Sequence, residues 1–176
     1  GDAFLGRFAV SVRRKVLYVQ EEDSRRRVRR RLGQIINGNP LRSRPSYEYF
    51  RYAIREGFRI DNPVWIEILR LEVIGFRPEV IILDVFNQLH GKNENDQKEM
   101  TEILRILTGF TREYGCSFIV VHHDRKPQLG NEARGNQRLR GSGVLGGWGE
   151  CSLYLRRGKE KDTIIITPES KDAPEI

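Results

Sequence analysis

The stretch Pro78-Glu79-Val80-Ile81-Ile82-Leu83-Asp84 decides how this chain is read. Four consecutive aliphatic residues, led in by proline and too few for a helix, predict a strand buried on both faces, as a parallel sheet under helices requires. The strand ends on Asp84. A carboxylate placed where a buried strand emerges costs on the order of several kcal/mol unless it is paired or binds a cation. The carboxyl ends of such strands are also where α/β proteins hold ligands. A strand-ending turn aspartate explains this segment alone equally well, so the rest of the chain carries the weight.

Working outward, Val16-Leu17-Tyr18-Val19 predicts a second short strand, followed at once by Glu21, Glu22, Asp23 and Ser24. From Ser24 the pattern turns helical: Val28, Leu32, Ile35 and Ile36 form one apolar stripe, Ser24 or Asp23 can cap it, and Gly38 stops it. Residues 47–54 have the aromatic, alternating character of a strand. Asp61-Asn62-Pro63 is a strong helix start, and Trp65, Ile68, Leu69 and Ile74 are the expected buried face of that helix. A polar loop, residues 87–95, follows the central strand. Met100, Ile103, Leu104, Leu107, Phe110 and Tyr114 then make the clearest amphipathic helix, ended by Gly115. Ser117 to Val121 is a third buried strand and leads into His122, His123, Asp124, Arg125 and Lys126. Strand, helix, strand in this order is a right-handed βαβ unit, which sets Asp84 and the histidine pair along one edge of the sheet.

Residues 127–138 are polar and basic without hydrophobic pattern, a loop of the length usually reserved for function. The glycines around Val144, Leu145 and Trp148 admit at most a short helix. Residues 151–155 and 163–167 flank Gly158-Lys159-Glu160-Lys161 and predict a terminal antiparallel hairpin. The fold class is α/β: a mostly parallel sheet between helices, ending in that hairpin.

The chain has 176 residues, the size of one domain, and 31 Lys and Arg against 24 Asp and Glu, a net charge of +7. That balance suits a polyanionic or phosphate-bearing partner. Cys116 and Cys151 sit in strand-like contexts without metal-ligand spacing, so buried thiols are expected, with no disulfide and no zinc. No apolar run approaches the roughly 20 residues that span a bilayer, and no charged-then-apolar leader opens the sequence. The expectation is a cytoplasmic protein without membrane attachment. Six arginines fall between Arg25 and Arg31, too dense for i,i+4 acid partners. A solvated face is the preferred explanation of that run over a nucleic-acid contact surface.

Three strands thus end at Glu22 and Asp23, at Asp84, and at His122 and His123. A magnesium nucleotide needs a carboxylate, often through water, to hold the metal; a second to orient and deprotonate the attacking water; and a polar group near the γ-phosphate. Asp84, Glu22 and His123 fit those roles in that order.

The segments VLYVQEEDS (16–24), RPEVIILDVFNQLHGKNENDQKEM (77–100), FIVVHHDRK (118–126) and RLRGSG (138–143) together resemble the RecA-like P-loop ATPases of the RepA hexameric helicase family. These are relatives of DnaB-type helicases and KaiC-like ATPases. The likeness runs from about Phe4 to Pro174 and implies a single RecA-like core over residues 1–176. By it, Asp84 is the Walker B aspartate, Glu22 the catalytic glutamate and His123 the γ-phosphate sensor. Asp23, the loop arginine Arg140 and Lys171 stand near nucleotide. Arg125, Lys126, Arg134 and Arg138 stand in the loop with which ring-forming relatives touch DNA. The resemblance further implies ATP and Mg2+ as ligands, nucleic acid as partner and a homo-oligomeric ring. Two departures accompany it. No G-x-x-x-x-G-K-[ST] phosphate loop occurs in residues 1–176, which suggests a core whose first strand and phosphate loop lie upstream of Gly1 and which binds ATP poorly without them. The hairpin ends in Glu169-Ser170-Lys171, where DnaB-type relatives carry Lys-x-Arg.

Three other readings stand beside it. A metal hydrolase would use Asp84, His122, His123 and Asp124, but adjacent strand residues point to opposite faces and cannot readily share one ion. A non-catalytic RecA-like scaffold would dock partners or nucleic acid through the basic segments, and a regulatory KaiC-like ATPase would use the same core.

Overall fold

The computed structural model describes residues 12–38, 46–123 and 143–172. The chain divides into two compact units, Gly1–Gly91 with Ile106–His122, and Lys92–Arg105 with His123–Ile176.

The first unit is built on a four-stranded, fully parallel sheet in the order β2-β1-β3-β4, with β1 at Val16–Gln20, β2 at Phe50–Ile54, β3 at Val80–Asp84 and β4 at Ser117–Val120. The expected α/β class is therefore observed. Register decides which side chains share a face. Leu17 pairs with Ile81 and Val19 with Leu83, and these four lie on one side, none more than 4 % exposed. Tyr18 pairs with Ile82 and Gln20 with Asp84 on the other. The period of two thus sends aliphatics into the core and polar groups to the opposite face at the same strand ends.

Helix α1, Arg25–Gly38, begins where Ser24 Oγ accepts a hydrogen bond from Arg27 N at 3.3 Å, the expected cap. Val28 is buried and Leu32 and Ile36 are half-buried, but Ile35 is exposed, so the stripe is narrower than the sequence implies. Helix α2, Pro63–Phe76, is capped by Asn62 Oδ1 on Val64 N at 2.9 Å. Its buried residues are Leu69, Val73 and Phe76; Ile68 and Ile74, expected inside, are exposed. The positions i, i+4 and i+7 from Leu69 make the true stripe. Apolar residues surround this helix on every side, so periodicity could not choose among them. Arg77 ends α2 in the left-handed conformation, φ 55°, donating to Val73 O, and Pro78 forbids continuation.

Past Asp84 the chain is not the open polar loop its composition suggests. The peptide bond Asp84-Val85 is cis, Phe86–Gln88 form a 3-10 turn, and Val85, Phe86, Leu89 and His90 are all buried. Ile60 N donates to Leu89 O, Arg59 to His90 O and Gly91 N to Asp61, fixing this segment to the approach of α2. Helix α3, Gln97–Tyr114, buries Met100, Ile103, Leu104, Leu107 and Phe110, as its period predicts. Gly115, at φ 68°, closes it by donating to Thr111 O. Residues 47–49 form a turn, so strand β2 is shorter than residues 47–54.

The second unit holds the first half of α3, the five-residue helix α4 at Val144–Trp148, and the hairpin of β5, Cys151–Arg157, with β6, Ile164–Ser170. The hairpin is antiparallel, with Cys151 opposite Ser170 and Arg157 opposite Ile164. Gly158 is required at its turn, because a Cβ there would lie 2.1 Å from Thr163 Oγ1. Both cysteines are free; Cys116 is buried as expected, whereas Cys151 is exposed, since the side of β5 that it shares with Leu153 and Leu155 is uncovered.

The two sides of the fold should respond differently to truncation. Leu83→Ala removes a fully buried strand residue and is expected to cost about 2–5 kcal/mol in denaturant unfolding. Ile74→Ala, on the exposed side of α2, should change stability by no more than about 0.5 kcal/mol. Equal losses would contradict the assignment of the buried face.

Candidate functional site

The parallel register brings the ends of β1 and β3 together. Gln20 is in register with Asp84, and Glu21 N donates to Asp84 O at 3.1 Å. Glu22 lies two residues past that pairing on the neighbouring chain segment, a backbone separation on the order of 10 Å. Beyond β4, Val121 N donates to Leu83 O and Phe86 N to Val121 O, so His122 also leaves the sheet at this carboxyl edge. His122 is half-buried with its ring 6.5 Å from that of Phe86, and His123, the next residue, is exposed.

The acidic run after β1, uniform in the sequence, separates into three roles. Glu21 turns back on the protein and accepts backbone hydrogen bonds from Glu56 (3.1 Å), Gly57 (3.2 Å) and Phe58 (3.0 Å), pinning the turn after β2. Asp23 is buried and takes Arg27 on one oxygen, at 2.7 Å, and Arg31 on the other. It anchors α1, and it corrects the expectation that the arginine run lacks acid partners; Arg25 is likewise paired, with Glu56 at 2.5 Å. Glu22 is the exposed member of the three. Nothing in composition separates these residues; only the direction of the chain as it leaves β1 does.

Asp84 is half-buried and accepts a 2.5 Å hydrogen bond from the Tyr18 hydroxyl. Burial, and then that bond and the Asp84 charge, push the Tyr18 phenol far above its ordinary value. Sequence reasoning missed Tyr18, although its place two residues before Gln20 puts it on the Asp84 face. Two buried side-chain oxygens have no hydrogen-bond partner among the described residues: Gln20 Oε1, on the residue in register with Asp84, and Asn87 Oδ1, three residues further along the chain. Buried acceptors of this kind are rare without a water or ion to satisfy them. Oxygen donors around one carboxylate suit a hydrated magnesium ion. Among the described residues no three His, Cys, Asp or Glu side chains gather to form a metal cage. Asp124, which the metal-hydrolase reading also calls on, lies outside the described residues.

Lys171, in the second unit, pairs with Glu150 at 3.3 Å, and its N–H donates to Glu150 O. Arg125, Lys126, Arg134, Arg138 and Arg140, with Asp124, lie outside the described residues. No helix among the described residues is long and apolar enough to cross a membrane.

Residues 1–128, well over half of the 176, match the family model described as AAA domain. No curated protein matches the chain.

The Tyr18 contact is directly testable by titration. Because its folded-state value is raised, the stability that this neutral phenol contributes is fully present below pH about 10 and is lost as the pH climbs beyond it. Ultraviolet absorbance titration should show one of the six tyrosines ionising after the others, and Tyr18→Phe should remove that last phase. An unchanged titration in the variant would contradict the contact.

Proposed function

The chain belongs to the AAA domain family, ATPase-type P-loop proteins with a RecA-like core, and from that premise we propose that it binds and hydrolyses ATP as a motor domain of the RepA helicase kind acting on nucleic acid. The observation that carries the proposal is the placement of Asp84 and Glu22 at the carboxyl ends of adjacent parallel strands, where Gln20 is in register with Asp84.

In this reading Asp84 holds the magnesium ion through coordinated water, with Tyr18 fixing one carboxylate oxygen and leaving the other to the site. Gln20 and Asn87, whose buried side-chain oxygens have no partner among the described residues, would be available to accept hydrogen bonds from water bound with the metal. Bound magnesium supplies charge neutralisation on the transferred phosphoryl group. Glu22, the exposed carboxylate of the run, orients a water for in-line attack and takes its proton, whereas Glu21 pins the turn after β2 and Asp23 anchors α1. By the family resemblance His123 is the proposed γ-phosphate sensor, and Arg140 and Lys171 are proposed nucleotide contacts. Arg125, Lys126, Arg134 and Arg138 are the proposed nucleic-acid contacts, which favours a ring-forming motor over a scaffold without catalysis. The excess of basic over acidic residues supports the same partner class.

Steady-state ATP turnover by the full-length protein tests this. Glu22→Gln should lower turnover by roughly 10²–10⁴-fold while retaining nucleotide binding. Asp84→Asn should abolish the magnesium dependence of binding together with turnover. Activity that survives both substitutions would discard the site.

A further inference from the structure

Helix α1 holds more positive charge than the fold uses. Arg25 is committed to Glu56 and to the Ile54 carbonyl, and Arg27 and Arg31, four apart, converge on the single buried carboxylate of Asp23. Arg26, Arg29 and Arg30 have the i, i+3, i+4 spacing of one helix face, are exposed, and pair with no carboxylate among the described residues. Three guanidiniums within about 6 Å of helix axis repel one another, which costs stability unless an anion neutralises them. The next position along the face is Gly33, beyond which a Cβ would meet nothing within 4 Å, so the stripe continues as a smooth, open surface.

Beside it lies an aromatic edge. Strand β2 is an outer strand of the sheet, and Tyr52 on it is 38 % exposed; Tyr47, in the turn before it, is 74 % exposed. Arg25 Nε donates to Ile54 O at 3.2 Å, which ties α1 to β2, and the Tyr47 phenol is pushed above its ordinary value chiefly by Tyr52 and drawn back by the Arg29 charge, within whose reach it therefore lies. Tyr52 is backed by Phe50, ring centroids 6.1 Å apart, and Phe50 by Tyr18 at 6.5 Å, so the edge is a supported platform.

We propose that the outer face of α1, with Arg26, Arg29 and Arg30, and the adjoining Tyr47 and Tyr52 form a binding surface for single-stranded nucleic acid. Guanidiniums track phosphates, and exposed phenol rings offer stacking faces that unpaired bases can use and a duplex cannot. A bilayer is a poorer fit: an interfacial helix needs its apolar face for lipid, and Val28 of α1 is buried in the protein. The inference rests on the nucleic-acid part of the proposal above and adds to it contact residues other than Arg125, Lys126, Arg134 and Arg138.

The test uses fluorescence anisotropy of a labelled oligothymidylate with the full-length protein over a range of salt. The variant Arg26→Ala/Arg29→Ala/Arg30→Ala should weaken binding at least tenfold and lower the slope of log affinity against log salt by about 2, three phosphates at roughly 0.7 each. Tyr47→Ala should weaken it roughly 5- to 150-fold while Tyr47→Phe leaves it unchanged. A duplex of equal length should be insensitive to Tyr47→Ala. Unchanged affinity and slope in the arginine variant would overturn the inference. So would equal loss of oligothymidylate, heparin and phosphatidylserine vesicles without a Tyr47 effect, which marks a general anion face. If the unaltered protein binds strand and only Arg134→Ala/Arg138→Ala weakens it, this surface is wrong and the proposed function stands. If it binds no strand at all, both fall.

Discussion

The parallel pairing of β1 with β3 is the constraint from which the rest follows. Leu17, Val19, Ile81 and Leu83 are almost wholly withdrawn from water, and a slip of one residue would turn this set to the opposite face and the Tyr18, Gln20 and Asp84 side chains into the core. At about 1.5–3 kcal/mol for each aliphatic side chain buried, the register is strongly specified. It fixes two things together. The aliphatic face secures the sheet, and the opposite face carries Tyr18 and Gln20 to the level of Asp84. The site is a consequence of the same period of two that builds the core.

Around that register the acidic residues after β1 divide the work. Glu21 holds the turn after β2 through three backbone N–H groups, and Asp23 ties down α1 through two arginines. Each restrains one flank of the chain between them, so Glu22 is presented from a segment fixed on both sides. The Tyr18 hydroxyl performs the equivalent task for Asp84. Candidate reacting groups set among residues held by hydrogen bonds are what the proposed function calls for.

Much of this was legible in the sequence where a single physical signal dominates. The run Val80 to Leu83, the amphipathic period of α3 and the Asn62-Pro63 start of α2 each name their element without help from the remainder of the chain. The hairpin was legible through its turn residues. Failure came where several residues satisfy one rule. Apolar side chains surround α2, so Ile68 and Ile74 looked as buried as Leu69. Three adjacent acids follow β1, and only three-dimensional partners separate them. The segment after Asp84 has a polar composition, yet Phe86, Leu89 and His90 are inside because backbone hydrogen bonds to Arg59, Ile60 and Asp61 fold it inward. Tyr18 was overlooked for a related reason: its strand position was clear, but its partner lies 66 residues away.

The most direct measurement of the central claim substitutes Mn2+ for Mg2+ with bound adenine nucleotide in the full-length protein and maps paramagnetic broadening of backbone amide resonances. Convergence of the two strand tips on the metal predicts the strongest broadening at Glu22, Asp84 and Asn87, fading toward Val16 and Val80 at the opposite ends of the same strands. Broadening centred on those opposite ends, or absent from both Glu22 and Asp84, would contradict it.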